Sequence, residues 1–469
     1  MSNIDEGKEK SVKVHSKKTM FSYSMGEFVY EFTQGVLILV LFFFYEVEIG
    51  LESWMTGLGL VIYAIWDAFN DPLVGYICDK PIRLTKKWGR RFPWMIIGYI
   101  PMLISFFLVF TPPNVDAQQQ PWIIFGWLVA TLCIFDTFET LYSNNYFGLF
   151  PDKFRDNDER VKASGIYVYL GLIGVVLANL LPPMIIEFGN VASYMLMALI
   201  FVLICFLSWF LMLPGIKDDK QSVEEYLAHY KDSERESFFK TLKIAFKQKS
   251  LTGFLFLFMA WIAMVGMVQS SFFYWIRFII FGEASDVLYI MIMFLLGVFI
   301  GIPLWIKFYK KVGEDNRKTM IYTSIGCIIM TTILTFITNL TGLYIVIFIW
   351  GIVVGGFWII YIPTYSDVID ESISITGIRQ EGFYSGLRRF MSNLASVIYA
   401  LLFAIVHEST GFVEIADKQT SSANFGILLL FGVIPAVIMT IGLIIFWKLY
   451  DITPDRSKEI REKLKELKI

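Results

Sequence analysis

The sequence contains two similar basic stretches, KKWGRR at residues 86–91 and KKVGEDNRK at residues 310–318. They lie close to half the chain length apart, and each contains a glycine and falls between two long apolar runs. A connection that recurs at this interval predicts a chain built from two halves with the same order of elements. The apolar runs around the two stretches therefore decide the fold.

These apolar runs are long enough to cross a membrane, because a bilayer core needs about 20 apolar residues per helix. A β-barrel would instead show alternating segments of about ten residues. The first six predicted spans cover residues 21–46, 52–77, 92–112, 120–149, 162–187 and 192–213. The second six cover residues 250–280, 286–307, 319–338, 342–367, 382–407 and 424–449.

Composition supports a membrane protein and excludes several other classes. Hydrophobic residues make up 56% of the 469 residues and charged residues only 17%, against roughly 25% in soluble proteins. The mean hydropathy is +0.59 and the net charge is −2. A soluble enzyme, a disordered chain, a disulfide scaffold and a nucleic-acid binder are therefore excluded. We expect membrane lipids, a small-molecule substrate and a coupling cation as partners, no nucleic acid, and a monomer.

Basic residues set the orientation, since cytoplasmic loops carry an excess of lysine and arginine. Of the 40 basic residues, only Arg277 and Lys418 fall on the side opposite the chain ends. Both termini are therefore predicted to lie in the cytoplasm, with the spans in the plasma membrane.

The predicted fold class is an all-α polytopic membrane protein whose twelve helices form two six-helix bundles. This is the layout of a major-facilitator transporter, in which substrate binds near the bilayer midplane between the halves. The charged segment between the bundles is either a tether or an amphipathic helix on the membrane face. The predicted units are an N-terminal tail (1–20), two bundles (21–213 and 250–449), a cytoplasmic central loop (214–249) and a C-terminal tail (450–469).

Six acidic residues lie well inside predicted spans, away from the span ends, where each costs at least about 2.5–3.5 kcal/mol. The clusters are Glu27 and Glu31 in span one, Asp67, Asn70 and Asp71 in span two, and Asp136, Glu139 and Thr140 in span four. The spacing of three and four residues places each cluster on one helix face. Because few basic residues lie in the spans, we expect these acids to bind protons or metal cations. Pairing with basic residues is the structural alternative.

The span-two cluster is the strongest candidate for a cation site. Carboxylate and amide oxygens suit a hard cation. Two carboxylates one turn apart repel each other unless a cation or a proton neutralises them. The alternative is a purely structural cluster.

The eleventh span begins with Arg388 and Arg389, and we expect one of them to face the central cavity. Anchoring of both at the cytoplasmic face is the alternative. Acids of the preceding loop are expected to pair with loop arginines such as Arg379. These acids are Asp367, Asp370 and Glu371.

The histidines and cysteines show no ligand-like spacing, so we assign them no chemistry and expect no disulfide framework or zinc site. They are His15, His229 and His407, and Cys78, Cys133, Cys205 and Cys327. No nucleophile–base pair occurs either, and the protein is predicted not to be an enzyme.

Four motifs occur in order along the chain. They are SYSMG at 22–26, WDAFNDPLVG at 66–75, WGRRFPW at 88–94 and DVIDESISITGIRQEG at 367–382. Together they resemble the glycoside–pentoside–hexuronide cation symporter family of the major facilitator superfamily, typified by melibiose permease.

The resemblance implies a role for several residues. It places the Na⁺ site at Asp67, Asn70, Asp71 and Thr140, and it places substrate contacts at Glu31 and Trp358. Five positions differ from the family pattern, among them Glu139, which is an acid where the family's melibiose members have an aromatic residue. Ser143 replaces a sugar-binding acid, Val168 an arginine and Asn393 a lysine, while Arg389 occupies a position that is normally neutral.

We therefore predict a cation-coupled symporter, Na⁺-driven and without other cofactors, that works by alternating access. Its predicted substrate is a small polar solute, a sugar or an anionic sugar derivative. The alternatives are a Na⁺-coupled lysophospholipid transporter, an H⁺-coupled symporter, and a non-transporting receptor or scaffold. Candidate substrate-binding residues are Glu27, Glu31, Asp136, Glu139, Ser143, Trp358, Arg389 and Asn393.

Overall fold

The computed structural model describes residues 15–78, 85–218, 248–376 and 381–466. Every regular element among them is helical, and twelve long helices account for most of the chain. The N-terminal half contains α1 Lys17–Glu48, α2 Ser53–Cys78, α3 Phe92–Val109, α4 Pro121–Lys153, α5 Asn157–Ile185 and α6 Val191–Met212. The C-terminal half contains α7 Lys249–Ile280, α8 Asp286–Lys311, α9 Asn316–Leu334, α10 Leu340–Thr376, α11 Glu381–Thr410 and α12 Ser421–Leu449.

Most of the predicted N-terminal tail and most of the predicted central loop lie outside the described residues. This applies to the amphipathic-helix prediction for the central loop, to His229 and to Arg379.

Ten helices of the described chain are long and apolar enough to cross a membrane. The other two long helices, α2 and α9, match the second and ninth predicted spans. Their hydropathy is lower because α2 contains Asp67 and Asp71, and α9 begins with Arg317 and Lys318. The all-helical fold class is thus confirmed, and the polar residues of α2 are available to form a site.

The largest error in the predicted spans concerns α10, which continues to Thr376 instead of ending near residue 367. The acids assigned to a loop are therefore on its last turns. Asp367 accepts hydrogen bonds from Asn316 Nδ2 at 2.6 Å and from Ser457 Oγ at 2.9 Å. Because neighbouring elements supply donors, the helix tolerates these acids.

Glu371 has partners in two other elements. They are Gln248 Nε2 at 2.7 Å and the guanidinium of Arg456, whereas the predicted partner Arg379 lies outside the described residues. Arg456 belongs to the helix Pro454–Glu466, which lies in the predicted C-terminal tail. This helix covers the end of α10.

The two halves pack in the same way. In each, the first helix packs on the fifth and sixth, and the fourth packs on the second and third. Between the halves, α2 contacts α11, α5 contacts α8 and α1 contacts α7. These contacts exchange under a pseudo-twofold rotation, as the repeated basic stretches predict.

The repeated stretches also share a backbone conformation. Gly89 has φ +101° and Gly313 has φ +80°, which is the left-handed region that glycine adopts without strain. An aspartate then accepts hydrogen bonds at the start of the next helix. Asp218 accepts from Arg91 N and Phe92 N at 2.9 and 3.0 Å, and Asp315 accepts from Lys318 N at 2.9 Å.

We call the face where α1 ends and α2 begins the outer face, because it lies opposite the chain ends. The halves meet closely on this side. Ser270 Oγ donates to Ile38 O at 2.8 Å, and a Cβ on Gly57 of α2 would lie 2.6 Å from Ala404 Cβ of α11. The structure is therefore closed at the outer face.

Candidate cation and substrate site

The predicted cation cluster lies where α2 and α4 meet α11. Thr140 Oγ1 of α4 donates to Asp71 Oδ1 at 3.0 Å. Arg389 Nε of α11 lies 3.5 Å from Asp71 Oδ2. Asp71 is thus held by one residue of its own half and by one cation of the other half.

Two amides complete the cluster. Asn393, one turn beyond Arg389 on α11, donates to Asp67 Oδ2. Asn70 Nδ2 donates to Asp136 Oδ2 at 2.9 Å. Asp67 and Asp136 are 4% and 1% exposed, so both need these donors.

Arg389 also binds the acid of α4. Its Nη2 lies 3.2 Å from Glu139 Oε2, and its Nη1 donates to Ser143 Oγ at 3.3 Å. The expectation that the intramembrane acids have no matching cations is therefore wrong for Glu139 and Asp71. The guanidinium is an internal cation placed between two carboxylates, and it joins the two halves.

The predicted Na⁺ ligands are close together, yet protein donors occupy several of their oxygens. Among the described residues, no three His, Cys, Asp or Glu side chains converge as a metal site. The predicted Na⁺ ligands do not form such a group, because they are two carboxylates, the amide of Asn70 and the hydroxyl of Thr140. A cation that bound Asp71 would have to compete with Arg389.

A second polar cluster involves α1 and α11. Glu27 is 8% exposed, and its Oε2 has no hydrogen-bond partner among the described residues. Arg388 lies near enough to Glu27 and Glu31 to attract both carboxylates. Both arginines at the start of α11 therefore interact inside the bundle, whereas one was expected there.

Aromatic residues of the C-terminal half surround Arg388. Its Cζ lies 5.7 Å from the ring centre of Phe258 and 6.0 Å from that of Tyr361. The Trp261 ring is 6.3 Å from Tyr361 and 6.4 Å from Trp358. The cluster thus combines acids, one base and aromatic faces. Val168, at the position where the family pattern has an arginine, is 54% exposed.

A third cluster, at the outer face, was not predicted. We call it the outer clasp and define it as Glu46, Ser53, Tyr274, His407 and Glu414. His407 Nδ1 of α11 lies 2.8 Å from Glu46 Oε1 of α1. Tyr274 of α7 donates to Glu46 Oε2, and Ser53 of α2 donates to Glu46 Oε1. Sequence spacing indicates no chemistry for the histidines and identifies no partner for His407, whereas the structure gives it an acidic one.

His15 also has an acidic partner, because its Nδ1 lies 2.8 Å from Glu159 Oε1. The sequence does contain a signal for the outer clasp. Glu46 falls inside predicted span 21–46, where a charge is costly, and His407 ends predicted span 382–407. What the sequence lacks is any local spacing that connects them.

Two pseudo-symmetric six-helix halves with polar clusters between them define a membrane transporter of the major facilitator superfamily, and not an enzyme. The chain belongs to the family described as MFS/sugar transport protein, whose model matches residues 22–454. The nucleoside transporter NupG has the same fold, with a TM-score of 0.62 and 13% identity, covering 92% of this chain and 99% of that one. The structure of PepTSo2 matches with a TM-score of 0.56 and 12% identity, covering 96% of this chain and 99% of that one.

Relatives with similar sequences include two proteins named Sodium-dependent lysophosphatidylcholine symporter 1. That of Gallus gallus is 24% identical over 89% of this chain and 83% of its own length. That of Homo sapiens is 23% identical over 92% and 82%. The Isoprimeverose transporter of Lactiplantibacillus pentosus is 24% identical over 44% of this chain and 42% of its own. The narrower glycoside–pentoside–hexuronide assignment stays a prediction.

Proposed function

We propose that the protein is a Na⁺-coupled symporter of the plasma membrane, with both termini in the cytoplasm. The observation that carries this proposal is the position of Arg389 between Asp71 and Glu139. This position supports the proposal because the acids already hold one positive charge between them, and Na⁺ could supply such a charge at Asp71. Oxygens of Asp67, Asn70, Asp71 and Thr140 would then hold the ion.

Competition between Na⁺ and Arg389 offers a coupling mechanism. Arg389 belongs to the C-terminal half, and its carboxylate partners belong to the N-terminal half. When Na⁺ neutralises Asp71, the guanidinium loses that contact and keeps Glu139. The ion thereby changes the attraction between the halves, which is the quantity that alternating access must control.

For the substrate, we infer a zwitterionic amphiphile of the lysophosphatidylcholine class. The Glu27 and Glu31 carboxylates would attract a cationic group, and Arg388 would bind an anionic one. Faces of Phe258 and Tyr361 favour a quaternary ammonium. The names of the Gallus gallus and Homo sapiens relatives support the same class.

A neutral glycoside is the second candidate, supported by the family description and by the Isoprimeverose transporter. In that case Glu31 and Trp358 would hold the sugar ring. An anionic sugar derivative has less support, because Glu139 and Asp71 already neutralise Arg389.

The test is uptake into proteoliposomes that contain the purified full chain. Labelled lysophosphatidylcholine and a labelled neutral glycoside are compared under an inward Na⁺ gradient, an inward H⁺ gradient, and K⁺ alone. We expect uptake of the lysophospholipid only with Na⁺. Uptake driven by H⁺ alone would contradict the ion, and preferential glycoside uptake would contradict the substrate class.

Glu31→Gln tests the substrate site in the same assay. We expect uptake to fall at least about tenfold, since a charge-assisted contact contributes on the order of 1.5–3 kcal/mol. Glu187→Gln is the matched control, because Glu187 is an exposed carboxylate in the connection between α5 and α6. Unchanged uptake in Glu31→Gln would exclude this acid from the substrate site.

A further inference from the structure

The outer clasp joins both halves through a single carboxylate. Glu46 belongs to α1 of the N-terminal half, whereas Tyr274 and His407 belong to α7 and α11 of the C-terminal half. Glu46 and His407 are both 0% exposed. Opening the outer face must therefore separate these groups and admit water to them.

The clasp contains more negative charge than its fixed cations balance. Ser53 N donates to Glu414 Oε1 at 3.2 Å, and Ser53 Oγ lies 3.4 Å from the same oxygen. The single proton of the Ser53 hydroxyl is already donated to Glu46. Two carboxylates thus meet at one hydroxyl, so a further proton would be favourable there.

The other charged neighbours do not supply the missing charge. Arg277 of α7 pairs with Glu48 of α1, and Glu48 Oε2 also accepts from Gly189 N at 2.8 Å. Tyr194 of α6 faces Tyr274 and Glu48 through a neutral phenol. The imidazole of His407 is the remaining group in contact with Glu46 that can take up a positive charge.

Aromatic rings enclose that imidazole. The Phe412 ring stacks on it at 4.4 Å, and the rings of Tyr274, Phe403 and Phe42 lie at 5.1, 5.6 and 6.5 Å. His407 Nε2 has no hydrogen-bond partner among the described residues. A net negative charge is costly in such surroundings, and the imidazole is the group through which the outer clasp can balance the charge of Glu46.

We propose that the outer clasp is a proton-binding site, in which His407 takes up a proton from the outer solution when the outer face closes and releases it when the face opens. The proton moves from water to the imidazole, and no other bond changes. External acid then holds the transporter closed to the outside. This inference does not depend on the coupling ion or on the substrate.

Glu414 contributes in the same direction. Burial raises the pKa of Glu414 and the nearby Glu46 raises it further, although hydrogen bonds from Ser53 lower it. A carboxyl whose pKa is raised in the closed form stabilises that form at low pH. This contribution is complete below about pH 4.3, the ordinary glutamate pKa, and is lost as pH rises through the raised value.

The test measures opening of the outer face as a function of pH. Spin labels are attached at Gln118→Cys between α3 and α4 and at Asp417→Cys between α11 and α12, two exposed outer positions. The four native cysteines are replaced, and the full chain is studied in nanodiscs. Pulsed electron resonance then gives the populations of short and long distances between about pH 5 and about pH 8, where imidazole changes charge.

We expect the closed-to-open ratio to rise as pH falls, by up to about tenfold per pH unit for the proton on His407 and with a further contribution from Glu414. His407→Asn, which keeps a side-chain donor, should lose most of this response. If His407→Asn does not fold, Glu46→Gln takes its place, and it should also lose most of the pH response. Glu408→Gln is the matched control, since Glu408 is the exposed next residue on α11.

An absent or opposite response in the unsubstituted clasp would overturn the proposal without any variant. A full response that survives in His407→Asn, or in Glu46→Gln, would also overturn it. Glu414→Gln, at the partly exposed edge of the clasp, should give a shallower response and keep the fold.

Discussion

Two clusters join the N-terminal half to the C-terminal half, and they differ in access to water. One is the cation site around Asp71 and Arg389, which we call the midplane cluster, and the other is the outer clasp. Side chains of Asp71 and Arg389 are 25% and 23% exposed. Those of Glu46 and His407 are fully buried. An ion can therefore reach the midplane cluster in the present conformation, whereas the outer clasp can exchange its proton only after the outer face opens.

The two clusters also differ in their polar groups. The midplane cluster has acids, two amides and one guanidinium, so a cation can replace one donor while others remain. In the outer clasp one carboxylate accepts from Ser53, Tyr274 and His407 together. Loss of that carboxylate leaves the buried Tyr274 and His407 without this acceptor, and leaves Ser53 Oγ only the longer contact with Glu414. The first arrangement suits ion exchange, and the second suits a stable closed state.

The largest expected effect is therefore that of Glu46→Ala. We expect it to destabilise the closed state by about 4 kcal/mol, within the range for breaking a buried ion pair. Thermal unfolding in detergent and labelling of outer-face cysteines measure this loss. The exposed Glu408→Ala is the control, and Na⁺ should not restore Glu46→Ala. A loss as small as that of the control would show that the outer clasp does not hold the face closed.

Arg389→Ala should have a somewhat smaller effect that depends on Na⁺. We expect a loss of about 3 kcal/mol in Na⁺-free buffer, the low end of the buried range, since the pair is partly exposed. Na⁺ should recover part of it by neutralising Asp71. Arg388→Ala is the matched control, because Arg388 lies over Phe258 and is not bonded to Asp71. Equal losses with and without Na⁺ would contradict competition at Asp71.

Arg277→Gln should have the smallest effect of the three. The Arg277 and Glu48 side chains are 18% and 1% exposed, and Arg277 also lies 5.4 Å from the Phe188 ring centre. Glutamine keeps a side-chain donor for Glu48, and Glu48 Oε2 also accepts from Gly189 N, so we expect a loss of about 1.5 kcal/mol, the low end for a hydrogen bond to a charged group. The control is Lys418→Gln, the other basic residue of the outer side, whose Nζ lies over Phe281. If Arg277→Gln costs as much as Glu46→Ala, the number of buried groups left without a partner does not distinguish the two sites.

The sequence predicts the fold well because helical spans depend on local hydropathy. It also predicts that the acids of α2 lie on one face of that helix and those of α4 on one face of theirs, since residues three and four apart share a helix face. Asn393 and Ser143 were candidate residues and do contact Asp67 and Arg389. Their partners, however, follow only from the packing of α11 against α2 and α4.

The outer clasp could not be predicted in the same way. Glu46 and His407 are separated by 361 residues, and no period on one helix brings them together. The end of α10 was missed for a related reason. Asp367 and Glu371 remain helical because Asn316, Gln248 and Arg456 donate to them from other elements. Contacts between residues far apart in the sequence thus determine both the outer clasp and the end of α10.

The most direct test of the account is calorimetric titration of Na⁺ into the purified full chain, with Asp71→Asn and Arg389→Gln variants measured in parallel. We predict that the unsubstituted protein binds Na⁺, and that Asp71→Asn does not. Arg389→Gln should bind Na⁺ at least about tenfold more tightly, since removing the internal competitor is worth about 1.4 kcal/mol or more. Sodium binding that persists in Asp71→Asn, or that weakens in Arg389→Gln, would contradict the claim that Na⁺ and Arg389 compete for Asp71.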